Sequence, residues 1–509
     1  MKKFSSFTRA ACVAAALGLG ATAQASDWVD TRLSFVFADD NILAGAGETT
    51  PSSPAARFGA TNANTQFYDN FNTRFSGFET LSNLVLYKQA PAFFEGLLSE
   101  AALSVLLLER PSGEIQLRDN SSYIRLAYRP PGWGEKEHLS FTGFPVSADR
   151  FRLGYAYRIS WGGSPVFGND AFQGGVPGAK LQLTRDKWYV YAGAKTALLL
   201  NQLIQERETQ YGGMLGGGWD VTPWLRLETG GGYFQKGIVP GLAVQGVRAP
   251  VNATGVSAQA VFHTPGVPVG TSIDFRLYRN DPEVFQRFFA PEAYPGGFSY
   301  NASIEGSYLV QTLADPDVFA RTVPQAAQAV ALQGRIKYDY LRAHVLGLYR
   351  TLSFIQFNVP SFPPYNDFPD GTVLAPEMFI AVGADYHFPR LHLTPGVIFG
   401  VQRAASFKSP ETVLGGGQPP SQFGSGRTVV VRDVNLFSIL PPGQDPLPIL
   451  SAKTTMRWDM SDYIAAIGEV YWTRDPNRAS FVDDVTGVAQ YTFEDEDAVG
   501  FNLILQARF

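Results

Sequence analysis

Apolar and polar residues alternate along many short stretches of this chain, and its ending, FNLILQARF, shows the pattern most clearly. Successive side chains of a β-strand point to opposite faces, so residues at every second position share one face. One face of the ending is wholly apolar and consists of Phe501, Leu503, Leu505, Ala507 and Phe509. The other face is polar except for Ile504, which indicates a strand that meets an apolar environment on one side only.

The same alternation recurs from the start of the chain to its end. Clear examples are TRLSFVF (31–37), SYIRLAYR (122–129), RFRLGYAYRI (150–159), TSIDFRLY (271–278), AVALQGRIKY (329–338) and AKTTMRWD (452–459). Arg or Lys returns repeatedly on one face of these segments, and the other face is rich in aromatic residues. Segments of about ten residues, at ~3.3 Å per residue and a tilt of ~40°, cross ~25 Å, the height of the apolar band of a transmembrane barrel. The pattern therefore predicts an all-β fold whose strands span a membrane.

Two kinds of connection separate these segments. The short ones have the Asp, Ser, Thr and Pro content of tight turns and cover residues 185–187, 220–223, 338–340, 387–390 and 459–462. The long ones are rich in Pro, Gly, Asn and Asp and cover residues 39–72, 161–178, 281–324, 356–375, 403–448 and 474–495. Short periplasmic turns and long extracellular loops are typical of transmembrane antiparallel up-and-down β-barrels. Aromatic residues beside the turns, such as Trp219, Trp224 and Trp458, fit the aromatic girdle at a boundary between lipid and water.

The strand number follows from the order of turns and loops. Counting backward from Phe509, with the short turns on the periplasmic side, gives about 18 spanning strands. About 16 strands fit nearly as well, because residues 131–150 do not divide clearly into strand and loop. The larger count requires residues 298–311 and 427–437 to be strand-like pieces inside loops.

The N-terminus has the features of a secretory signal peptide. Lys2, Lys3 and Arg9 precede the apolar run ACVAAALGLG, and Ala23-Gln24-Ala25 provides a small-x-small cleavage site. We therefore expect residues 1–25 to be a cleaved signal peptide and residues 26–509 to form the barrel. Charged residues are only 17% of the chain, a low fraction for a soluble surface of this size. The only cysteine, Cys12, lies in the signal peptide, so we expect neither disulfides nor cysteine-bound metals in the mature chain.

The sequence offers few motifs for catalysis or metal binding. It has no HExxH, no G-x-S-x-G and no nucleotide-binding loop, and its five histidines show no metal-ligand spacing. A formal charge of −5 without a clustered basic face argues against a nucleic-acid partner. The acidic run at 494–497, with Asp483 and Asp484, offers oxygen ligands for Ca²⁺, although solvated loop charge also explains such a run. We expect no enzyme activity, no cofactor and no metal site.

The signal peptide, the alternating segments, the unequal connections and the ending together resemble Gram-negative outer-membrane β-barrel proteins, porins in particular. In that superfamily the barrel-assembly machinery reads a final strand that is apolar at every second position and closes on an aromatic residue. The resemblance implies an assembly signal formed by Phe501, Leu503, Leu505, Ala507 and Phe509. It also implies a location in the outer membrane, with the membrane lipid and the assembly machinery as partners. It covers the whole mature chain as architecture, assigns no porin subfamily, and leaves a homo-oligomer open.

The polar faces of the strands suggest a function. If the apolar faces meet lipid, the polar faces line a lumen that is wide enough for water in a barrel of about 18 strands. The candidate pore-lining residues are Arg125, Arg129, Arg152, Arg158, Arg226, Arg276, Arg335, Lys337, Arg350 and Arg457. Basic rings concentrate anions, so the sequence predicts a passive channel for small hydrophilic solutes that prefers anions. We expect loop 281–324 or loop 403–448 to fold inward as a constriction.

Two alternatives stay open at this stage. The arginines of the polar faces could pair with carboxylates of the loops and pack the interior of the barrel. The barrel could also be plugged, and act as a surface receptor or adhesin through its loops, or as a structural protein of the outer membrane.

Overall fold

The computed structural model describes most of the chain after residue 28. The described ranges are 29–39, 41–45, 57–58, 82–109, 115–154, 156, 159–167, 175–201, 204–265, 294, 296–358, 365–408, 427–433, 436–483 and 489–508. Across them, eighteen strands form the main antiparallel sheet. These are β1 (Val29–Asp39), β2 (Ser82–Pro91), β3 (Leu97–Glu109), β4 (Tyr123–Tyr128), β5 (His138–Phe144), β6 (Gly178–Thr184), β7 (Trp188–Asn201), β8 (Glu206–Thr222), β9 (Leu225–Ile238), β10 (Pro250–His263), β11 (Phe298–Ala314), β12 (Thr322–Tyr338), β13 (Leu341–Arg350), β14 (Glu377–Tyr386), β15 (Leu393–Arg403), β16 (Ile449–Asp459), β17 (Ile464–Arg474) and β18 (Asp497–Arg508).

Each of these strands pairs with the next one along the chain, and the last strand pairs with the first. In the closing pair, Arg32 lies opposite Arg508 and Asp39 lies opposite Phe501, while the start of β1 pairs with β2. The pairing thus runs through all eighteen strands and returns to its start, as the alternation predicted. Because the number of strands is even, the start of β1 and the end of β18 lie at the same end of the barrel. We call that end the turn side and the opposite end the loop side.

The outer surface of the ring is apolar on every strand. Exposed apolar side chains from β1 to β18, one for each strand in order, are Phe37, Leu84, Leu103, Leu126, Phe141, Leu181, Val190, Leu215, Leu227, Val256, Ile304, Leu332, Leu341, Val382, Phe399, Met456, Val470 and Leu503. A soluble protein does not leave an apolar belt of this extent in water. A ring of strands with an apolar exterior satisfies its backbone hydrogen bonds internally, and this is the arrangement that crosses a bilayer.

The last strand shows the two faces directly. Leu503 and Leu505 are exposed on the outside, whereas Asn502 and Gln506 are buried inside the ring. Phe501 and Ala507 lie on the outer face and are half-buried. Phe509, the final residue of the predicted assembly signal, lies outside the described residues.

Aromatic side chains surround the barrel at the turn side. They lie at or near the turn-side strand ends and are exposed, namely Trp188, Trp219, Trp224, Tyr338, Tyr386, Trp458 and Tyr463. Indole and phenol rings favour the boundary between lipid and water because they have an apolar body and a polar edge. No helix in the described part of the chain has the length and hydropathy that a membrane-spanning helix requires.

Several predicted strands are confirmed, and others are corrected. TRLSFVF lies in β1, AVALQGRIKY in β12 and AKTTMRWD in β16, but RFRLGYAYRI is not a barrel strand. TSIDFRLY lies outside the described residues.

The loop assignments also change. Residues 298–311 belong to the spanning strand β11, so the long loop predicted at 281–324 is wrong; β11 and β12 are joined by residues 315–321 on the loop side. The connection from β10 to β11, residues 264–297, is long although it lies on the turn side. Residues 427–437 are strand pieces inside a loop, as expected.

The remaining elements are short and lie between the barrel strands. Two helices, α1 (Pro240–Ala243) and α2 (Leu352–Asn358), and a 3-10 turn (Ser164–Phe167) occur in loop-side connections. Strands Val373–Ala375, Ala405–Lys408, Thr428–Asp433 and Leu436–Ile439 form a separate loop-side sheet. Ala479–Asp483 pairs with Ala489–Phe493, while Arg57–Phe58 adds to β1 and Ile115–Asp119 adds to β3.

Candidate functional site

The lumen contains a stretch of chain that joins β5 to β6, which we call the first lumenal segment (described residues 145–154, 156 and 159–167). Its apolar side chains are among the most buried in the molecule, namely Phe151, Leu153, Ile159, Trp161 and Phe167. The ring of Phe151 stacks on Phe144 of β5, and the ring of Trp161 meets Phe234 of β9 edge-on at 5.8 Å between centroids. The described apolar side chains of RFRLGYAYRI, namely Phe151, Leu153 and Ile159, are therefore buried inside the barrel, and this is why its alternation did not mark a lipid-facing strand.

Glycines in the wall make room for this segment. A Cβ at Gly193 of β7 would lie 2.5 Å from the Phe151 ring, and a Cβ at Gly230 of β9 would lie 2.8 Å from Leu153. Glycine within a strand weakens it and is found where another part of the chain approaches closely. The sequence GGMLGGGW in β8 and TGGG in β9 is the signal that could have revealed a packed wall here.

Polar contacts fix the first lumenal segment to three strands. The indole N–H of Trp161 donates to Ser257 Oγ of β10 at 2.8 Å, and the Ser257 and Ser307 hydroxyls are hydrogen-bonded to each other at 2.8 Å. The Ala156 N–H donates to the carboxylate of Glu305 on β11 at 2.7 Å. Lys195 of β7 donates to main-chain carbonyls of the segment. The segment thus crosses the interior from the β7 wall to the β11 wall.

Helix α2 enters the lumen from the connection between β13 and β14, and we call it the second lumenal segment. Phe354 and Phe357 are buried, and the ring of Phe357 meets that of Trp161 edge-on at 5.8 Å between centroids. On its other side, α2 packs through Leu352 and Ile355 against the loop-side sheet. The expectation for loop 281–324 needs correction because that range contains wall strand β11. For loop 403–448, residues 409–426 lie outside the described residues, so the expected constriction there stays a prediction.

Pairs of opposite charge cover the inner wall. Four pairs lie directly opposite each other in register on neighbouring strands: Glu100 with Arg125, Asp220 with Arg226, Arg342 with Asp385, and Arg350 with Glu377. Their contacts include Arg125 Nη1 to Glu100 Oε2 at 3.6 Å, Arg342 Nε to Asp385 Oδ2 at 2.9 Å, and Arg350 Nε to Glu377 Oε2 at 2.7 Å. Charges taken out of water need such partners.

Further ion pairs lie within a strand or on a diagonal between strands. Besides the opposed Asp220 at 2.7 Å, Arg226 contacts Glu228 of its own strand β9 at 2.7 Å. Lys453 Nζ lies 3.1 Å from Glu469 Oε1, and Arg457 lies 2.8 Å from Asp459. Interior arginines therefore do pair with carboxylates, but these carboxylates lie on the barrel strands and not in the loops, where the alternative had placed them.

The predicted pore-lining residues divide into three groups. On inward-facing positions of the strands lie Arg125, Arg226, Arg335, Lys337, Arg350 and Arg457. Arg152 lies on the first lumenal segment, and Arg129 lies just beyond β4, where its side chain is exposed on the turn side. Arg158 and Arg276 lie outside the described residues.

Several interior charges were missed at the level of sequence. They lie at inward positions of wall strands and are Glu100, Lys195, Lys236, Glu305, Glu377, Asp385 and Glu469. Each follows the two-residue period of its strand, so strand parity is the signal that could have found them. The Glu and Asp residues among them offset the excess of positive charge that the sequence had suggested for the inner face.

The acidic run at the loop side has partners of its own. Glu496 forms an ion pair with Arg474 at 2.9 Å, and Asp497 accepts a hydrogen bond from the Trp472 indole. Within the part of the chain that the structure describes, no three His, Cys, Asp or Glu side chains are placed to hold a metal ion. The side chains of Asp483 and Asp484, which the calcium interpretation also invoked, lie outside that part.

No protein-family model matches the chain, and no curated protein matches it. Among solved structures, similar chains include the outer membrane protein OpdK of Pseudomonas aeruginosa, with 8% identity, 94% of this chain and 98% of that chain covered, and a TM-score of 0.42. P. aeruginosa OccK2 (OpdF), solved in complex with glucuronate, has 8% identity, covers 95% and 97%, and gives a TM-score of 0.43. A loop-deletion mutant of OmpT, an outer membrane protein of Vibrio cholerae, has 11% identity, covers 94% and 98%, and gives 0.34. The assignment of the fold rests on the strand pairing itself.

Proposed function

We propose that this protein is an outer-membrane channel for the passive diffusion of small hydrophilic solutes. The observation that carries the proposal is the division of the strands between an apolar outer face and an inner face that is polar and, on many strands, charged. A barrel that only anchored its loops in lipid would gain nothing from interior charges, whose desolvation is costly. Inward-facing charges that keep part of their surface exposed, such as Arg335, Lys337 and Arg350, are useful where water and polar solutes pass.

The proposed route follows the wall from β13 to β17. The lumen faces of these strands carry Arg342, Asp385 and Arg457 near the turn side and Lys453 and Glu469 near the middle of β16 and β17. The first lumenal segment is anchored to β7, β10 and β11, so its described polar contacts lie on another part of the ring. We infer that solutes pass between this segment and the charged wall.

A preference for anions is the finer part of the proposal. Arg335 of β12 lies opposite His344 of β13, and Arg342, which is paired with Asp385, lies on the same face of β13. The carboxylate nearest to His344 is Asp385, at 4.0 Å from Nδ1. Arg335 and the neighbouring inward-facing Lys337 lie near the turn-side end of β12, where they would attract anions to the opening.

Conductance in a planar lipid bilayer tests both parts. The purified chain should give channel events, and its reversal potential under a KCl gradient should indicate anion preference. The double variant Arg335→Gln, Lys337→Gln should lower that preference, whereas Arg474→Gln, an exposed arginine on the outer face of β17, should not. Absence of channel events would refute the channel, and a cation preference in the wild type would refute the selectivity.

The plugged barrel remains the second candidate because of one observation. Trp161 and Phe357 meet in the lumen with both side chains almost fully buried. A receptor or adhesin predicts no conductance, together with binding to a surface partner that is lost when the loop-side strands 428–439 are deleted.

A further inference from the structure

Two lysines of the inner wall bind main-chain carbonyls of the lumenal segments. Lys195 of β7 is 0% exposed and Lys236 of β9 is 1% exposed. Another buried lysine of the wall, Lys453, pairs with the carboxylate of Glu469. Lys195 and Lys236 instead donate to the backbone of chain segments that lie inside the barrel.

Lys195 holds both limbs of the first lumenal segment at once. Its Nζ donates to the Ala148 carbonyl at 2.5 Å and to the Gly162 carbonyl at 2.8 Å. The ammonium also lies 5.6 Å from the centre of the Phe151 ring. Ala148 is near the start of the segment and Gly162 is near its end. The Lys195 side chain therefore holds both parts of the segment at the same point of the wall.

Lys236 holds the second lumenal segment in the same way. Its Nζ donates to the Phe357 carbonyl at 3.3 Å and to Gln311 Oε1 of β11 at 3.3 Å. The ammonium lies 4.1 Å from the centre of the Phe357 ring, a cation–π distance. Phe357 is the ring that meets Trp161, so Lys236 fixes the position of the contact between the two lumenal segments.

We propose that Lys195 and Lys236 are positioning residues that hold the two lumenal segments across the lumen and thereby set the width of the pore. This inference rests on the proposed channel function. A buried ammonium must keep its hydrogen bonds, and a buried carbonyl that loses its donor is costly. Removal of either lysine therefore favours conformations in which the freed carbonyls reach water, with the segment withdrawn from the wall.

The test replaces Lys195 by Met and uses Lys180→Met as the matched control. Lys180 of β6 is equally buried, but its Nζ donates to Gln182 of its own strand at 3.0 Å. Lys195→Met should raise the single-channel conductance, while Lys180→Met should leave it near the wild-type value. Lys195→Arg retains donors and should restore most of the wild-type conductance. Lys236→Met should raise conductance independently.

A second readout does not depend on conduction. A single cysteine at Ala156, in a chain with Cys12→Ser, reports whether the first lumenal segment is accessible, because Ala156 is buried. Lys195→Met should raise the rate of maleimide labelling roughly tenfold, the factor expected for loss of one hydrogen bond to a charged group. Labelling that rises without any channel activity would support the positioning role and refute the channel.

Other outcomes overturn the inference. If a correctly folded Lys195→Met, as judged by its heat-modifiable migration, shows wild-type conductance and wild-type labelling, Lys195 does not position the segment. If Lys195→Met fails to assemble, the variants Lys236→Met and Glu305→Gln test the proposal in its place. Glu305→Gln weakens the acceptor of the hydrogen bond from the Ala156 N–H. Wild-type conductance and labelling in both of these variants would refute the proposal.

Discussion

Arg342 on β13 and Asp385 on β14 lie directly opposite each other inside the barrel, with Arg342 Nε 2.9 Å from each carboxylate oxygen. Neither side chain has any exposed surface. One guanidinium N–H is shared between the two carboxylate oxygens, and such a charge-assisted hydrogen bond is stronger than one between neutral groups. Its position on the lumen face makes it the most enclosed of the ion pairs described above.

Breaking this pair should be costly. Asp385→Asn leaves Arg342 as a buried charge without its counter-ion, so we expect the free energy of unfolding to fall by about 3–5 kcal/mol. Urea unfolding in lipid vesicles, followed by tryptophan fluorescence, measures the change. Glu496→Gln breaks the exposed pair with Arg474 and should cost less than about 1 kcal/mol. Equal effects of the two substitutions would contradict the burial of the first pair.

The lipid-facing side of the last strand gives a second prediction. Leu503→Lys places a charge in the middle of β18 on the outer face, and we expect a loss of about 2–4 kcal/mol. Leu447→Lys changes an equally exposed leucine in a loop-side connection and should be nearly neutral. If both variants unfold at the wild-type urea concentration, the outer face of β18 does not contact hydrocarbon.

The C-terminal assembly signal gives a third prediction. Phe509→Ser should lower the amount of heat-modifiable barrel in the outer membrane several-fold, because the closing aromatic residue would no longer be read during assembly. Phe319→Ser alters another exposed phenylalanine, in the loop between β11 and β12, and should not change that amount. Equal amounts of assembled barrel for both variants would argue against a signal at Phe509.

A turn-side carboxylate gives a prediction about pH. The Gly134 N–H, aided by the Asp186 N–H and the Arg185 guanidinium and opposed by slight desolvation, holds the pKa of Glu137 below its ordinary value of 4.5. The folded state therefore favours the carboxylate, which contributes stability above pH 4.5 that is lost as the pH falls through the lowered pKa.

Glu137→Gln should remove this part of the pH dependence of unfolding. Arg185→Gln should remove less of it, since the largest contribution comes from the Gly134 N–H. Unfolding in urea between about pH 5 and pH 3 measures the slopes. A wild-type slope in Glu137→Gln would contradict the lowered pKa.

The strands and their two faces could be read from the sequence because the two-residue period is a local property. AKTTMRWD became β16 with Lys453 and Arg457 inside and Met456 outside, as the alternation indicated. The same period could not reveal the environment of Phe151 and Leu153. An apolar side chain packs equally well against lipid and against an aromatic cluster, so local pattern did not separate a wall strand from a lumenal segment.

The charge pairing could not be read from the sequence for a different reason. Arg342 and Asp385 are 43 residues apart, and they meet only because the β13–β14 register sets them opposite each other. Register depends on the length of the connecting loop and on the neighbouring strands. Without it, the basic residues of the polar faces suggested an excess of positive charge that the carboxylates of β3, β14 and β17 offset.

The opposed ion pairs also restrict how this sequence can change over evolutionary time. A single substitution at Arg342 or Asp385 leaves the other residue as a buried charge without its counter-ion. Exchange of both residues together, or their joint replacement by apolar residues, avoids this cost. Divergent relatives should therefore vary at these two sites in concert, and the same holds for Arg350 with Glu377. In an alignment of relatives, the two positions of each ion pair should therefore covary, and neither position need be invariant.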